Sequence, residues 1–554
     1  MLLLLMAIEQ IVSMRQEGQT WDEGIHLVAG YSYWKTKDLQ LNPEHPPLGK
    51  YLNALPLLLL NPGLPLDHSA WKTKNPVELG RQFLYHNTVS AERLLFAARL
   101  MSVAMTLVLG LFMALWTNRK FGPEAAGCAL ALFVLDPNLI AHGRYVTSDI
   151  FVAAFFFFTC IAWNEYLESG NGRWPVLSGL GLGCAITSKF SGFILIPTVL
   201  VLYGLRWWQG RLPHTGWHAT RSICALGLFA MITVVAVYSV EARSFIPGIK
   251  LVDHSLPSAW PTIENRSAIG KLLLEMAHRL GLPGNSFLRG VSLVSFHNEI
   301  GHETYLLGKR SQLGWWYYFP VVIAVKTPTG LLLGLAVAIW QLCRHSGTRK
   351  WGDLPFTWFS IAAPPAIYLG ASMTSHLNLG VRHLLPIYPF LCILVAAALT
   401  AQRRLGVLTV ALLLVACESA LISPYYLAFF NVLVGGPDNG PRYLADSNID
   451  WGQDILRLKT YLDRRHERSV CLGYFGNALP EYYGIDAHAV PSTEDVRRDG
   501  LPNCLTAVSV TPLMGAYVND DWAWLRKEHP VAKIGYSIYV YDFRGIVSRS
   551  PSTR

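Results

Sequence analysis

Between Trp21 and Lys50 the chain reads WDEGIHLVAGYSYWKTKDLQLNPEHPPLGK, and three kinds of ionisable group gather there. Asp22 and Glu23 stand side by side. About twenty residues later a proline-locked turn, Glu44-His45-Pro46-Pro47, leads into Lys50. A carboxylate can take a proton, an imidazole titrates near neutrality and an ammonium steadies negative charge. Similar groups recur further on: His142, Arg144 and Asp149 in AHGRYVTSD, Lys189 in TSKFSG, and His376, Arg382 and His383 around LGVRHLLPIYPF. For the first stretch alone, solvated loop charge explains the residues as well as a site does, so the surroundings decide.

Those surroundings are apolar. The chain has 554 residues, 52% of them hydrophobic and only 15% charged, with a mean hydropathy of +0.30. Soluble domains carry about 25% charged residues, so this composition describes a polytopic α-helical membrane protein. The net charge of +9 does not point to nucleic acid, because the basic residues lie mainly in short loops between apolar runs. The nine cysteines include no CxxC or Cys/His metal spacing, which argues against a zinc site. Cys471 and Cys504 lie together in the polar tail and could pair in an oxidising compartment.

Apolar stretches fall at about 1–14, 94–117, 123–141, 145–166, 174–188, 190–207, 222–240, 316–343, 354–373, 381–400 and 405–424. This predicts about 11 transmembrane helices. The first is short: at 1.5 Å per residue it rises about 20 Å against a core of about 30 Å. It lacks the basic leader and cleavage site of a signal peptide. It reads as part of a span, or as a segment whose start lies upstream. Arg119 and Lys120, Arg173, Arg206 and Arg211, Arg344, Arg349 and Lys350, and Arg403 and Arg404 occupy one set of alternate connections. The positive-inside rule makes that side cytoplasmic. The Asp22 loop (15–93), the tips at His142, Lys189 and His376, the loop 241–314 and the tail then lie outside.

The outer connections are long enough to hold structure. Loop 15–93 carries two amphipathic pieces, Gly24–Trp34 and Pro47–Leu60. Loop 241–314 holds an expected interfacial helix at 269–282 and the segment HNEIGHE. Residues 1–430 read as the membrane domain and 437–554 as a small extracytoplasmic α/β domain. In the latter, helix-like runs (452–466, 520–529) alternate with strand-like ones (469–475, 505–511, 534–543).

Polar residues at membrane depth are expensive and are candidates for function. Each has a plainer reading. Arg144 and Lys189 could snorkel to the interface, His142 could cap a helix with Asp149 as its partner, and Arg382 with His383 could anchor a helix end. Trp315 to Tyr318 read as an aromatic belt. Asp446-Ser-Asn-Ile-Asp450-Trp-Gly imitates a calcium loop, but its glycine is one place late and Arg457 replaces the closing Glu. Asp446 or Asp450 as a cap of the 452–466 helix fits better. Taken together, carboxylates beside cations are what glycosyl transfer from a lipid phosphate requires.

The paired Asp22-Glu23 after the first helix, EHPPLGK, TSD following DPNLIAHGR, GLGLGCAITSKFSG and LGVRHLLPIYPF together resemble the membrane-embedded GT-C glycosyltransferases. The branch is the bacterial one akin to protein O-mannosyltransferases and the lipid A aminoarabinose transferase, of the family-39, phospholipid carrier-dependent kind. The likeness runs through about residues 15–425. The tail motif DSNIDWGQDILRL is similar to one in uncharacterised bacterial members and adds no chemistry.

The resemblance implies inverting transfer of a sugar from a polyprenyl-phosphate donor to a protein, lipid or glycan acceptor, at a site outside the bacterial inner membrane. It implies Asp22 as catalytic base with Glu23 as its companion, Asp149 as the second acidic position and Lys189 as the phosphate-side cation; Arg144 and Arg382 are read beside Lys189 as further cations for the departing phosphate. Glu44-His45-Pro46 stands where the aminoarabinose transferase has Glu-Lys-Pro. A histidine holds phosphate less firmly than a lysine, so Lys50 or Arg382 would share that role. Glu44, His142, His376 and His383 complete the candidates. No cofactor is called for; a divalent metal stays open, since some relatives use one. The alternative class is a transporter or flippase of the lipid-linked sugar, but the internal repeats common in transporters are not evident. Reporter fusions after Arg119, Arg211 and Arg404 should read cytoplasmic and one after Gly440 external. A cytoplasmic tail would break the proposed convergence of the polar residues.

Overall fold

The computed structural model describes residues 1–242, 285–346, 355–518 and 520–545. The expected interfacial helix at 269–282 and Arg349 and Lys350, expected in an inner loop, lie outside the described residues. All eleven apolar stretches are helical. Six helices among the described residues are long and apolar enough to cross a membrane: Ala91–Phe121, Asp149–Ser169, Phe190–Trp208, Trp217–Val240, Val381–Ala401 and Leu405–Ile422. Leu2–Met14 and Pro123–Val134 are shorter apolar helices.

Prolines explain where the expected spans break. The 123–141 stretch is two helices, Pro123–Val134 and Pro137–His142. Pro137 has no N–H to continue the first helix, and the Asp136 carboxylate starts the second by accepting from Asn138 N (2.8 Å) and Leu139 N (3.3 Å). The 316–343 stretch breaks before Pro328 into Tyr318–Lys326 and Thr329–Gln341, bent by 114°. Side chains take up the backbone groups this bend releases, as apolar surroundings require. Asn431 Nδ2 donates to the carbonyls of Ala324 (2.7 Å) and Thr327 (2.9 Å). Glu418 accepts from Thr329 N at 2.7 Å, and Lys326 Nζ donates to the carbonyls of Leu427 and Asn448 at 3.0 and 2.6 Å. Glu418 thus helps to close the break, while Lys326 ties the first half of the bend to Leu427 and Asn448.

A second reversal presents Lys189. Helix Arg173–Ser188 ends at Lys189 in extended backbone, and a 3-10 turn, Phe190–Ile194, follows. At Gly192 a Cβ would lie 2.6 Å from backbone atoms of Ala185 and Ile186. Only glycine allows the turn to fold back this closely.

Segment 15–93 folds into helices Glu23–Thr36, Pro47–Ala54, Leu57–Leu60, Ser69–Lys72 and Pro76–Tyr85. Leu59, in the apolar end of the second amphipathic piece, is 90% exposed. The tail from 437 onward contributes a five-stranded sheet. Its strands are Ser469–Gly473 (β3), Asp486–His488 (β4), Leu505–Ser509 (β5), Ala532–Ile534 (β6) and Ile538–Asp542 (β7); Thr304–Leu306 (β1) and Lys309–Ser311 (β2) form a separate hairpin. The sheet order is β4-β3-β5-β7-β6, with β3 parallel to β4 and β5 and β7 antiparallel to β5 and β6. Three strands and the helix Ile455–Arg464 match the expected runs. The 520–529 run is only a 3-10 turn at Ala523–Lys527, and the three-residue strands β4 and β6 are too short to show a period. Cys471 and Cys504 form a disulfide across this sheet.

Neither Asp446 nor Asp450 caps the Ile455 helix, a correction to the sequence reading: Asp454 occupies the cap position. Asp450 is buried and its carboxylate accepts from Thr511 N at 2.9 Å. Burial pushes its pKa up to about 8. The motif around it binds the tail to the rest of the chain. Trp451 O accepts from Trp21 N and Gln453 O from Gly18 N, both at 2.9 Å. Asn448 Oδ1 accepts from Val381 N at 3.1 Å.

Segment 14–23 is held by two buried ion clusters. Arg99 makes both of its pair contacts with Glu23 (Nε–Oε1 2.7 Å, Nη2–Oε2 2.6 Å) and donates to the carbonyls of Met14, Glu17 and Gly18. Arg144 forks onto Glu17 at 2.7 and 3.2 Å, Tyr145 donates to the same carboxylate at 3.0 Å, and Arg457 of the tail reaches it at 3.5 Å. Burial alone would raise the Glu17 pKa, but the arginines Arg144 and Arg457 outweigh it and hold it low. Removing one member of a buried cluster strands the others, at about 3–5 kcal/mol. Glu17→Gln should therefore lower the thermal unfolding midpoint in detergent sharply. An unchanged midpoint would mean that this cluster does not hold the segment.

Candidate active site

A cavity of about 950 Å³ opens between segment 15–93, the helix mouths and the tail. Its wall carries a run of alternating charge assembled from four distant segments. Arg382 Nη1 donates to Asp22 Oδ2 at 2.8 Å and lies 3.9 Å from Asp149 Oδ2. Lys189 Nζ donates to Asp149 Oδ1 at 2.5 Å. The guanidinium of Arg382 stacks 4.3 Å above the Trp451 ring, and its buried Nε has no hydrogen-bond partner.

Local structure places each member. Asp22 ends the turn before helix Glu23–Thr36. Asp149 is the first residue of its helix, where the helix dipole favours a carboxylate. Lys189 sits in the reversal described above. Arg382 lies in the 3-10 turn Val381–Ile387. That turn begins at Gly380, whose φ of 111° and close contact with the Asn448 side chain (2.8 Å to a Cβ) exclude larger residues.

Histidines form a second group. The His26 and His45 rings lie 4.9 Å apart, tilted by 45°. Burial pushes His45 down to about 4 and His26 well below its ordinary range, with His45 and Lys50 adding to the latter. Both imidazoles are therefore neutral near pH 7. Lys50 is buried; its Nζ donates to Asn42 O, Asn42 Oδ1 and Tyr33 OH at 2.6, 2.8 and 3.1 Å, and burial lowers its pKa well below the usual lysine range. Glu44 accepts from or shares a proton with His297 Nδ1 at 2.7 Å. Burial works against its charge, but the hydrogen bond from His297 holds its pKa below the ordinary carboxylate value.

Seven of the sequence candidates line the cavity: Asp22, Asp149, Lys189, Arg382, Glu44, His45 and His383. The others are placed elsewhere. Glu23 is saturated by Arg99, Thr20 N and Val146 N. Arg144 faces Glu17 and carries no free face towards the cavity, so its phosphate role does not follow from its position. Lys50 stands behind Asn42. His142 packs beside Tyr145 and Trp451, and His376 Nδ1 bonds the Asn298 carbonyl region at 2.9 Å. Residues that sequence reasoning missed are His26, His297 and His302, together with Asp446, Trp451 and Tyr517 from the tail. The HNEIGHE and DSNIDWGQ segments were visible signals, yet nothing in them showed that they fold over the same cavity. Of the aromatic run 315–318, Trp316 is 66% exposed, as an interfacial residue would be, whereas Tyr318 is buried and accepts from Asn448 Nδ2.

Residues 89–245, which include Asp149 and Lys189, match the family model described as Dolichyl-phosphate-mannose-protein mannosyltransferase. The resemblance to the GT-C membrane glycosyltransferases drawn from the motifs is borne out by this match. Among solved structures, ArnT from Cupriavidus metallidurans bound to undecaprenyl phosphate is similar at 13% identity and a TM-score of 0.48, over 97% of this chain and 96% of that one. The archaeal oligosaccharyltransferase AglB from Archaeoglobus fulgidus, in complex with an inhibitory peptide and a dolichol-phosphate, is similar at 12% identity and a TM-score of 0.44, over 96% of this chain and 72% of that one. No curated protein matches the sequence.

The neutral histidines make stability depend on pH. An unfolded histidine binds its proton near pH 6.5, whereas folded His45 does so only near 4. The stability is whole above about pH 6.5 and is lost as pH falls towards 4, by about 1.4 kcal/mol per pH unit for one such group. His45→Gln should flatten that acid limb in thermal unfolding measured between pH 7 and 4. An identical slope in the variant would show that His45 is not held neutral.

Proposed function

We propose that this protein transfers a sugar, with inversion, from a polyprenyl-phosphate carrier to a protein, lipid or glycan acceptor at this cavity. The observation that carries the reading is the Asp22–Arg382–Asp149–Lys189 run on the cavity wall, with an Arg382 N–H left free beside it. The family match over residues 89–245 supports it. In this reading the eleven helical stretches span the bacterial inner membrane as part of a 1–430 membrane domain. The N-terminus lies inside, and loops 15–93 and 241–314 lie outside with the 437–554 domain.

Asp22 takes the proton of the acceptor nucleophile as that atom attacks the anomeric carbon from the face opposite the phosphate. The C1–O bond breaks and its electron pair leaves on the phosphate oxygen. Arg382 and Lys189 meet the developing charge with donors already fixed in place, which avoids reorganisation at the moment of reaction. Asp149 holds both cations in position. It also competes with the phosphate for Lys189, so donor binding must loosen that pair. The neutral His45 can offer the phosphate a hydrogen bond but no charge, and Lys50 reaches the site through Asn42.

Asp22→Asn tests the reading. It keeps the size of the side chain and leaves Arg382 a second partner in Asp149, but it removes the base. With polyprenyl-phosphate-linked sugars extracted from the source membranes as donor and envelope extract as acceptor, release of free polyprenyl phosphate should fall about 10²–10⁴-fold. Binding of the donor should persist. Full activity in this variant would remove Asp22 from the chemistry.

A further inference from the structure

A second cavity, of about 230 Å³, lies where helix Leu2–Met14, the start of helix Ala91–Phe121 and the tail meet. Its rim carries Arg15 and Arg93, both exposed. Neither guanidinium has an ion pair or hydrogen bond among the described residues; Arg15 only rests 5.1 Å above the Phe96 ring. The other charges of the lining are engaged. Arg99 and Glu17 belong to the clusters that hold segment 14–23, and Glu92 accepts from the Tyr482 hydroxyl at 3.2 Å. Deeper in, Tyr483 is only 9% exposed, and a Cβ on Gly18 would stand 3.8 Å from its hydroxyl. The Tyr85 ring lies 6.1 Å from that of Tyr483, yet neither hydroxyl has a hydrogen-bond partner among the described residues. Two guanidiniums and a buried phenol thus turn donors on one small space, and no acceptor of the described chain takes them.

The helices beneath the cavity indicate what kind of acceptor comes. On Leu2–Met14, the exposed apolar residues Leu4, Ile8 and Val12 form one stripe, and Arg15 continues it. On Ala91–Phe121, Leu100, Val108, Leu111 and Leu115 are exposed along one face, and Arg93 lies on that face two turns before Leu100. The two helices run antiparallel and touch. A Cβ on Gly110 would stand 3.1 Å from Leu3, while Arg15 meets Phe96 at the other end. Each arginine therefore tops an exposed apolar stripe. Depth agrees with this. Arg93 and Arg119 stand 26 residues apart on one helix, which is about 39 Å at 1.5 Å per residue. A bilayer with its headgroup layers measures about 40–45 Å. With Arg119 at the inner face, Arg93 stands in the outer headgroup layer, where a cation runs against the usual charge bias.

We infer that this cavity binds the headgroup of an anionic glycerophospholipid. Its phosphate sits between Arg15 and Arg93, because a guanidinium fork matches phosphate oxygens. The Tyr483 hydroxyl donates to a headgroup oxygen within, and the acyl chains lie along the two apolar stripes. Glu17 and Gly18 of the lining belong to the segment that leads to Asp22, so a bound lipid braces that segment from its far side. The orientation proposed above makes the lipid one of the outer leaflet. The site does not depend on sugar transfer and stands if that reading fails.

The full-length protein is purified in detergent micelles doped with phosphatidylglycerol or, at equal amount, with phosphatidylcholine. Native mass spectrometry counts the lipid retained, and thermal unfolding reads its effect. One phosphatidylglycerol should stay on each chain and raise the unfolding midpoint by about 2–4 °C over phosphatidylcholine. Arg15→Gln combined with Arg93→Gln should abolish both effects. Both side chains are exposed, so this variant should unfold in phosphatidylcholine where the unaltered protein does. Tyr483→Phe should weaken retention about tenfold, as the loss of one hydrogen bond to a charged group does. Arg403→Gln combined with Arg404→Gln removes the same charge from the other end of the bundle and should keep the lipid. Equal retention of the two lipids, or an equal loss in the Arg403/Arg404 variant, overturns the site. So does retention of polyprenyl phosphate in place of phosphatidylglycerol when both are offered.

Discussion

Arg382 is the group on which the site depends. One guanidinium donates to Asp22 of segment 15–93, faces Asp149 at the mouth of an apolar helix and rests on Trp451 from the tail. In apolar surroundings two carboxylates cannot sit this close without a cation between them. The same cation draws together three segments separated by hundreds of residues. Its buried Nε has no hydrogen-bond partner, and burial without one costs free energy.

The rest of the molecule repeats this logic with charges that do no chemistry. Glu23 with Arg99, and Glu17 with Arg144 and Arg457, fix the backbone leading to Asp22. Glu418 helps to close the helix break at Pro328, and Lys326 ties that region to Leu427 and Asn448. Buried charge in this protein is therefore of two kinds. Some pairs are enclosed by protein and serve the scaffold, and others face the cavity. The division separates Asp22 from Glu23, neighbours in sequence with opposite surroundings.

The tail is bound into the site rather than appended to it. Trp451 and Gln453 receive the N–H groups of Trp21 and Gly18, Asn448 fits against Gly380 and Val381, and Tyr517 and Asp446 reach the cavity wall. The position of Asp22 therefore depends on the tail being folded, and the sheet with its disulfide provides a stiff support for that contact.

Apolar length and loop charge determined much of this from the sequence: the helical stretches, the polar residues at their mouths, and the motifs that carry the GT-C resemblance. Those signals are local, since burial of apolar side chains and the chemistry of a turn are written in consecutive residues. Partnership is not local. Glu23 and Arg144 read like site residues because their types were right, but Arg99 and Glu17 saturate them from 76 and 127 positions away. His297, His302 and Tyr517 read like loop residues until folding placed them on the cavity wall. The proline breaks at 137 and 328 were readable as residues, yet whether a helix ends or continues past them was decided by Asp136, Asn431 and Glu418. Tertiary structure alone chose which charges meet, because the energy of a charge in an apolar interior depends on the atoms beside it and not on its neighbours along the chain.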